Sequence, residues 1–403
     1  MIADFTTSKY YPVMFKRPHN LTLGNWRTHP FSQWSFHNVR EVIASTEIRH
    51  DPEHSDVPKE NIQNLGEIIV NFPEVRCPLT ALLQYSHSDG LQVLKNGELI
   101  YEWHAGHFDS RKPHILFSVS KSVTAMLAGI LESENLFDSN RNVIDYLPGV
   151  KGGVYENCSM RNILDMTVAL DFEENYSDPK SEYMQYRVAT GWNPADQTDP
   201  GPGLEEFLYS LKQSADSHGQ SFLYRSPNSD LLGLVLERAA GAPLAALFSH
   251  FLWQRMGARD DACITVDQNG LARAAGGISV TLRDFTRLGQ LFLNKKGMDD
   301  DINGKGILSG DWLKDTFSAG DRDAWTRGNY AQRMPNGKYR NKWYQSGDED
   351  GSISGRGIHG QQIYINPARA TVITRFSSSP DPLNDEITDA CFNAFSQIAK
   401  ETG

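Results

Sequence analysis

The sequence is poor in cysteine and has no long apolar segment. It contains four cysteines among 403 residues, and no two of them form a C-x-x-C pair, so the pattern indicates neither a zinc site nor a disulfide scaffold. We therefore expect a cytoplasmic protein with reduced thiols at Cys77, Cys158, Cys263 and Cys391. No run of about 18 apolar residues occurs, so we predict no transmembrane helix and no membrane partner.

Positive charge is also scarce in this chain. The formal net charge is −11 and the sequence pI is about 5.6. Nucleic acids and anionic membranes attract positively charged surfaces, so we expect neither as the main partner. Residues 1–20 lack an apolar core and carry Asp4, Lys9, Lys16 and Arg17, so we expect no signal peptide. Enzymes that destroy antibiotics or remodel cell walls are usually exported. Because we expect no signal peptide, we consider these two enzyme classes less favoured.

Several motifs of catalysis and ligand binding are missing. The chain has no G-x-S-x-G elbow, no P-loop and no H-E-x-x-H pair, and we predict no dinucleotide-binding G-x-G-x-x-G that joins a strand to a helix. Of the twelve histidines, His104 and His107 stand closest together in sequence, without a carboxylate in register. We therefore predict no metal site and no cofactor.

The chain length predicts about two to three domains. We predict an α/β (α+β) body formed by residues 1–160 and 276–403, which 161–275 interrupt as a mostly helical insertion. Residues 1–60 are rich in proline and aromatic side chains, and we expect an arm that wraps the body, with one short helix near 33–45. Because strands occur near both ends of the chain, both ends should complete one sheet.

Local patterns predict the main elements of this body. The Asn96-Gly97 pair between two apolar segments predicts a β-hairpin over 91–103. A second hairpin is predicted over 362–376. Helical periodicity predicts helices over 282–293 and 385–400.

A Ser-x-x-Lys tetrapeptide, Ser118 to Lys121, opens a further predicted helix over 118–136. Three residues are nearly one helical turn, so the two side chains share a face. A serine hydroxyl needs a base to become nucleophilic, and a desolvated lysine can serve because burial lowers its pKa. The same pattern recurs at 177–180 in an acidic, proline-broken segment. By itself the tetrapeptide leaves open whether Ser118 only caps a core helix.

Longer strings point to a known family. They are 117–122 (FSVSKS), 165–166 (DM), 171–179 (DFEENYSDP), 191–192 (GW), 228–230 (NSD), 275–278 (AGGI), Asp284, Trp343 and 354–361 (SGRGIHGQ). In this order they resemble the serine β-lactamase and penicillin-recognising family. Within it the chain is most similar to the 6-aminohexanoate-dimer hydrolases, a branch that resembles class C β-lactamases and carboxylesterases. The resemblance implies a β-lactamase-like antiparallel sheet flanked by helices.

The resemblance also implies catalytic roles. Ser118 matches the acylated serine and Lys121 its partner lysine. Tyr224 matches the tyrosine that relays a proton to the leaving group, and we expect the positive charge of Lys121 to lower its pKa. Asn228 matches the asparagine that closes this motif, although it stands four residues after the tyrosine instead of the usual two. Asn228 could instead cap a helix that starts at Asp230, and both interpretations remain open.

The third family element departs from the lactamase form. Residues 355–357 (GRG) stand where lactamases have Lys-Thr-Gly. The resemblance implies that the amide of Ile358 pairs with the amide of Ser118 as an oxyanion hole. His359 has no acidic partner in the motif, so a structural role is favoured over a role as base. Without the lysine that grips a β-lactam carboxylate, lactamase activity is less expected.

Five further residues match pocket positions of the branch. Tyr176, Trp192 and Tyr344 match aromatic residues that contact substrate there, although each could equally be a buried aromatic. Arg187 replaces an acidic residue that holds the free amine of the substrate, and Ala275 replaces an amide side chain. Since a cation cannot hold an ammonium group, we do not expect efficient cleavage of the aminohexanoate dimer.

The sequence thus predicts a serine hydrolase that cleaves a small carboxylic ester or linear amide through a Ser118 acyl-enzyme. A β-lactamase or D-amino-acid peptidase is the second hypothesis, and a catalytically silent binding protein on the same fold is the third. The sequence leaves the oligomeric state open, a homodimer included.

Overall fold

The structure, a computed structural model, describes most of the chain. The described residues are 16–55, 57–72, 75–175, 181–196, 198, 200–293 and 306–402. The predicted pocket residue Tyr176 and the second Ser-x-x-Lys at 177–180 lie outside them.

The strands of the described chain form one large sheet and two small ones. They are β1 (Ser45–Ile48), β2 (Ile69–Phe72), β3 (Val75–Pro78), β4 (Ser88–Lys95), β5 (Glu98–His104), β6 (His114–Ile115), β7 (Ala262–Thr265), β8 (Ile278–Val280), β9 (Lys338–Arg340), β10 (Trp343–Gln345), β11 (Ile353–Gly357), β12 (Gln361–Asn366) and β13 (Thr371–Ser377). The large sheet has seven antiparallel strands in the order β5-β4-β13-β12-β11-β10-β9. Strands from both ends of the chain therefore meet in it, as the sequence predicts.

Helices pack against both faces of this sheet. In the described chain the α-helices are α1 (Ser32–Ser35), α2 (Leu79–Tyr85), α3 (Val119–Ser133), α4 (Met160–Leu164), α5 (Glu182–Ala189), α6 (Leu204–Ser210), α7 (Pro227–Ala240), α8 (Leu244–Leu247), α9 (Leu282–Gln290), α10 (Gly310–Ser318), α11 (Arg322–Arg327) and α12 (Asp385–Glu401). Helix α8 continues as a π-helical segment, Phe248–Trp253. No single helix among the described residues is long and apolar enough to cross a membrane; one bent pair, Pro227–Ala240 with Leu244–Trp253, meets the length and composition criteria together.

Both predicted hairpins are confirmed. Strands β4 and β5 pair with Lys95 opposite Glu98, and Asn96 and Gly97 between them have φ of 53° and 81°. Positive φ at both positions suits a two-residue turn, and asparagine and glycine adopt it most easily. Strands β12 and β13 form the second hairpin.

The large sheet separates two apolar cores. On one face Leu91 and Val93 pack in a cluster with Phe395 and other residues of α2 and α12. On the other face Ile363 and Phe376 belong to the main core, which α3, α7 and α9 complete. The main core therefore buries one face of α3, the helix whose first turn follows Ser118.

A small sheet carries the chain toward that helix. Its order is β1-β7-β8-β6, and Ile115 of β6 pairs with Ser279 of β8. Strand β7 lies inside residues 161–275, for which we predicted a mostly helical insertion. The helical part therefore ends before β7, which pairs with strands of the predicted body. The limits of the insertion as a domain stay a prediction.

The described part of the N-terminal arm packs beside the nucleophile. It contains α1 and a 3₁₀ turn at Val39–Glu41 where one short helix was predicted. Its Trp26 and Phe36 are fully buried in a cluster with Phe117, Trp192 and Ile358. The arm is thus part of the wall behind the predicted oxyanion hole.

Candidate active site

A strained turn presents Ser118. Phe117, the residue before it, has φ of 45°, a left-handed conformation that costs an L-residue roughly 1–2 kcal/mol. The buried Phe117 ring contacts Trp26, Phe36 and Trp192, with ring centroids 6.1, 4.9 and 5.8 Å away. This packing holds the turn in place. Ser118 itself makes no side-chain cap bond to α3, so the interpretation as a mere helix cap is wrong.

Lys121 lies next to Ser118 on the same face of α3, as the spacing predicts. Its Nζ donates to Ser118 Oγ at 2.9 Å and to the Ala275 carbonyl at 2.8 Å. Burial lowers the pKa of Lys121 to about 8, while the carboxylates of Glu174 and Asp230 act in the opposite direction. Near neutral pH a useful fraction of this lysine is therefore uncharged and able to accept a proton.

Tyr224 is the third polar group at the nucleophile. Its hydroxyl interacts with the Ser118 side chain, and its ring centroid lies 5.1 Å from Lys121 Nζ. Burial raises the pKa of Tyr224 well above its ordinary value, so the predicted lowering by Lys121 is wrong. Tyr224 keeps its proton in the resting site. Tyr344 stacks on it, with ring centroids 6.2 Å apart.

A buried carboxylate behind the site positions Lys121 through the backbone. Asp230 accepts a hydrogen bond from the Ala275 amide at 2.7 Å, and the Ala275 carbonyl in turn accepts from Lys121. Asp230 also bonds the Tyr186 hydroxyl and lies 3.5 Å from an Arg273 nitrogen. Ala275 thus contributes through its backbone. Sequence reasoning missed Asp230 in this role, although the 228–230 string contains it.

Asn228 does not cap helix α7, and its role as the asparagine that closes the family motif stays a prediction. Helix α7 begins at Pro227 with Ser226 as its N-cap residue, so the prediction that Asn228 caps this helix is wrong. Its side chain is buried, accepts from the Tyr155 hydroxyl at 3.2 Å and lies 4.0 Å from Met166 Sδ. These contacts connect α7 to neighbouring segments.

A second buried lysine, Lys342, lies close enough for the charge of Lys121 to affect it. Lys342 donates from Nζ to the Ile163 carbonyl, and its own carbonyl accepts from Ser122 Oγ at 2.8 Å. Burial, and then the charge of Lys121, holds the pKa of Lys342 well below its usual range. No motif in the sequence points to this residue, because its environment comes from segments far away in the chain.

Two glycines bring strand β11 against the nucleophile turn. A Cβ on Gly355 would lie 2.8 Å from an Ile363 methyl carbon, and one on Gly357 would lie 2.6 Å from the Leu116 carbonyl oxygen. Both distances are too short for a side chain, so the backbone can approach this closely only with glycine. Ile358 follows directly. Among the described residues, the amides of Ser118 and Ile358 donate to no backbone carbonyl outside regular elements.

His359 has the environment of a structural histidine. Its Nδ1 lies 2.8 Å from the Ser379 carbonyl, and its ring contacts Phe36 and Phe117. Burial lowers the pKa of His359 to about 4, so the ring is neutral at physiological pH. The favoured structural role agrees with this packing.

Two guanidinium groups lie near the Trp192 ring, and the charge of a third affects one of them. Arg273 is 4.2 Å from the Trp192 ring centroid, and Arg27 is 5.9 Å from it. Arg187 lies in α5, 4.5 Å from the Tyr183 ring centroid. Burial, followed by the charge of Arg187, lowers the pKa of Arg27 to about 9. Sequence reasoning identified Arg187 and Trp192 but missed Arg27 and Arg273.

Comparison with known proteins places this geometry in a family. The family model described as Beta-lactamase matches residues 84–395, which include Ser118, Lys121, Tyr224 and Ile358. The chain belongs to the beta-lactamase family. As a hydrolase of this family, it has the fold that the sequence predicts.

Two relatives are similar to this beta-lactamase family member over nearly their whole length. The 6-aminohexanoate-dimer hydrolase of Paenarthrobacter ureafaciens is 33% identical over 362 residues, which cover 90% of this chain and 89% of the relative. A solved structure from Bacillus anthracis, provisionally given the same enzyme name, is 26% identical with a TM-score of 0.86, covering 95% of this chain and 97% of the other. A class C beta-lactamase, 16% identical with a TM-score of 0.55 and coverage of 79% and 94%, shares the fold.

Proposed function

We propose that this protein is a serine hydrolase that cleaves small carboxylic esters or linear amides through an acyl-enzyme on Ser118. One observation carries the proposal: a buried lysine with a pKa of about 8 lies 2.9 Å from the serine hydroxyl. A lysine in this state can take the serine proton near neutral pH, which is the step that makes the hydroxyl nucleophilic.

In the proposed acylation, neutral Lys121 accepts the proton of Ser118 while Oγ attacks the substrate carbonyl. The amides of Ser118 and Ile358 donate to the oxygen of the tetrahedral intermediate. Tyr224, which is protonated at rest, gives its proton to the leaving group and regains one from Lys121. Water then attacks the acyl carbonyl while neutral Lys121 accepts its proton. The bond between the acyl group and Ser118 breaks, Lys121 returns the proton to Ser118 Oγ, and the acid leaves.

We infer the substrate preference from the positive charges near the predicted pocket residue Trp192. The relatives carry the name 6-aminohexanoate-dimer hydrolase, and that dimer has a free ammonium group. Here Arg27 and Arg273 lie near the Trp192 ring, and the charge of Arg187 acts on Arg27. Their positive charge disfavours an ammonium group. We therefore propose that short-chain esters are cleaved more efficiently than the aminohexanoate dimer.

A substrate panel with two serine variants tests the proposal. The purified protein is incubated with a short-chain p-nitrophenyl ester, the aminohexanoate dimer, a chromogenic cephalosporin and a fluorophosphonate label. We expect Ser118→Ala to lower kcat/KM for the ester by on the order of 10⁴-fold or more, since the nucleophile is lost. Ser177→Ala, which changes the serine of the other Ser-x-x-Lys, is the matched control and should behave as wild type.

The outcomes separate the three hypotheses. Turnover of the cephalosporin alone would support a β-lactamase. No turnover and no label on Ser118 would leave the catalytically silent protein as the better explanation and would overturn the proposal.

A further inference from the structure

Three potential metal ligands converge behind the nucleophile turn. His37 follows α1 in the arm, Asp89 lies in β4 and His114 lies in β6. One ligand atom from each lies within 4.8 Å of the others. We call these residues the His37–Asp89–His114 cluster. No motif or spacing in the sequence points to this cluster, because its residues are far apart in the chain.

The hydrogen bonds of His114 show which of its nitrogens is available to a cation. Its Nδ1 is 3.0 Å from the Ile115 carbonyl oxygen, which can only accept, so Nδ1 carries a hydrogen. Its Nε2 faces Asp89 Oδ2 at 3.1 Å. Nε2 and this carboxylate oxygen therefore face each other at a distance that a hydrogen bond or a shared metal ion can span.

The distance between His114 Nε2 and Asp89 Oδ2 suits a shared metal ion. Two ligands about 2.0–2.1 Å from a tetrahedral Zn²⁺ lie roughly 3.3 Å apart, close to the observed 3.1 Å between Nε2 and Oδ2. A histidine that binds a metal typically donates its other N–H to a backbone carbonyl or carboxylate. His114 does this with Ile115.

His37 gives an independent observation that favours a metal ion in this cluster. Both of its ring nitrogens are buried, and neither has a hydrogen-bond partner among the described residues. Its ring centroid lies 4.6 Å from that of His114 and 5.0 Å from that of Phe108. Unpaired buried polar atoms cost about 1–3 kcal/mol each. A metal bond to one of these nitrogens would remove part of this cost.

We propose that the His37–Asp89–His114 cluster binds one Zn²⁺ ion with a structural role. Two imidazoles and a carboxylate are ligands that suit this ion. His107 and Ser378 orient the carboxylate by hydrogen bonds of 2.7 and 2.9 Å to Asp89 Oδ1. The ion would join the arm to β6, four residues before the nucleophile.

Metal binding by the full-length protein tests this proposal directly. The protein is treated with a chelator, dialysed against Zn²⁺ alone, and analysed by elemental mass spectrometry, while thermal unfolding is followed with and without Zn²⁺. We expect one equivalent of Zn²⁺ and a higher Tm with the ion. Co²⁺ in its place should give the visible absorption of a four-coordinate site.

Three variants assign the ligands. His37→Ala and Asp89→Asn should weaken Zn²⁺ binding by more than about 100-fold, because each removes a ligand. His104→Ala is the matched control, since His104 lies nearby on the surface and pairs with Glu102; it should bind Zn²⁺ as wild type does. Near-UV circular dichroism verifies that each variant is folded. Failure of the folded wild type to bind one equivalent, or unchanged binding by His37→Ala, would overturn the proposal.

Discussion

Lys121 shows how one buried residue sets the chemistry of the site. Its ammonium form is disfavoured by burial, yet two carbonyl or hydroxyl oxygens hold its nitrogen in place. Asp230 contributes indirectly, because it fixes the Ala275 peptide that binds the lysine. The hydrogen bonds of Lys121 therefore set its position, whereas its burial sets its pKa.

The pH dependence of the reaction should report on Lys121. Its pKa is lowered to about 8, and the base form is the deprotonated one. We expect kcat/KM for a neutral ester to rise about tenfold per pH unit well below that value and to level off above it. Initial rates from about pH 6 to about pH 9.5 measure the profile.

Lys121→Arg provides the control for that profile. The guanidinium stays protonated over this range, so the variant should be inactive throughout. A profile of the wild type that is flat across pH 8 would contradict the assignment of Lys121 as the base.

At the scale of elements, the end of β11 decides whether the oxyanion hole can form. Gly357 lies so close to the Leu116 carbonyl that a Cβ would be 2.6 Å from its oxygen. The residue after it, Ile358, supplies the second proposed donor. Because Gly357 has no side chain, strand β11 can approach the nucleophile turn this closely.

Gly357→Ala should therefore act on catalysis. The added methyl must push β11 away from Leu116, and the loss of one aligned oxyanion donor typically costs about 10²–10³-fold in kcat. Steady-state kinetics with the p-nitrophenyl ester measures the effect. In Gly310→Ala, the control, the new methyl would meet no atom within 4 Å, and kcat should be unchanged. Wild-type kcat in Gly357→Ala would argue against the Ile358 amide.

At the scale of the whole molecule, the arm is part of the catalytic framework. Trp26 stacks on Phe117 at 6.1 Å, meets Trp192 edge-on at 5.4 Å and donates from its ring nitrogen to the Trp192 carbonyl. Phe117 is the strained residue before Ser118. The stability of the nucleophile turn therefore depends on a segment that lies about ninety residues earlier.

Trp26→Ala should lower both stability and turnover. Removal of a buried tryptophan typically costs about 3–5 kcal/mol of unfolding free energy, and the released Phe117 should lower kcat by about tenfold or more. Urea unfolding and kinetics well below the transition measure the two effects.

The variant Trp253→Ala separates the effect on stability from the effect on turnover. Trp253 is also fully buried and its ring nitrogen donates to the Asp260 carbonyl, but it lies away from the nucleophile turn. We expect a similar loss of stability and an unchanged kcat. Equal kcat values in the two variants would mean that the arm only stabilises the fold.

The sequence by itself determined the features that depend on neighbours along the chain. The Asn96-Gly97 hairpin follows from backbone preferences of two residues, and helix α3 follows from apolar periodicity. The contact between Ser118 and Lys121 follows from the length of one helical turn. The longer family strings added the positions of Tyr224 and Ile358.

Only the tertiary structure decided the features that depend on burial and on distant segments. Local pattern could not show that burial raises the pKa of Tyr224, that Ser226 takes the cap position considered for Asn228, or that β7 pairs into the small sheet. The link from Asp230 to Lys121 and the His37–Asp89–His114 cluster likewise join residues far apart in sequence. Desolvation and long-range contacts arise only when separate parts of the chain pack together, so no periodicity or spacing in the sequence carries them.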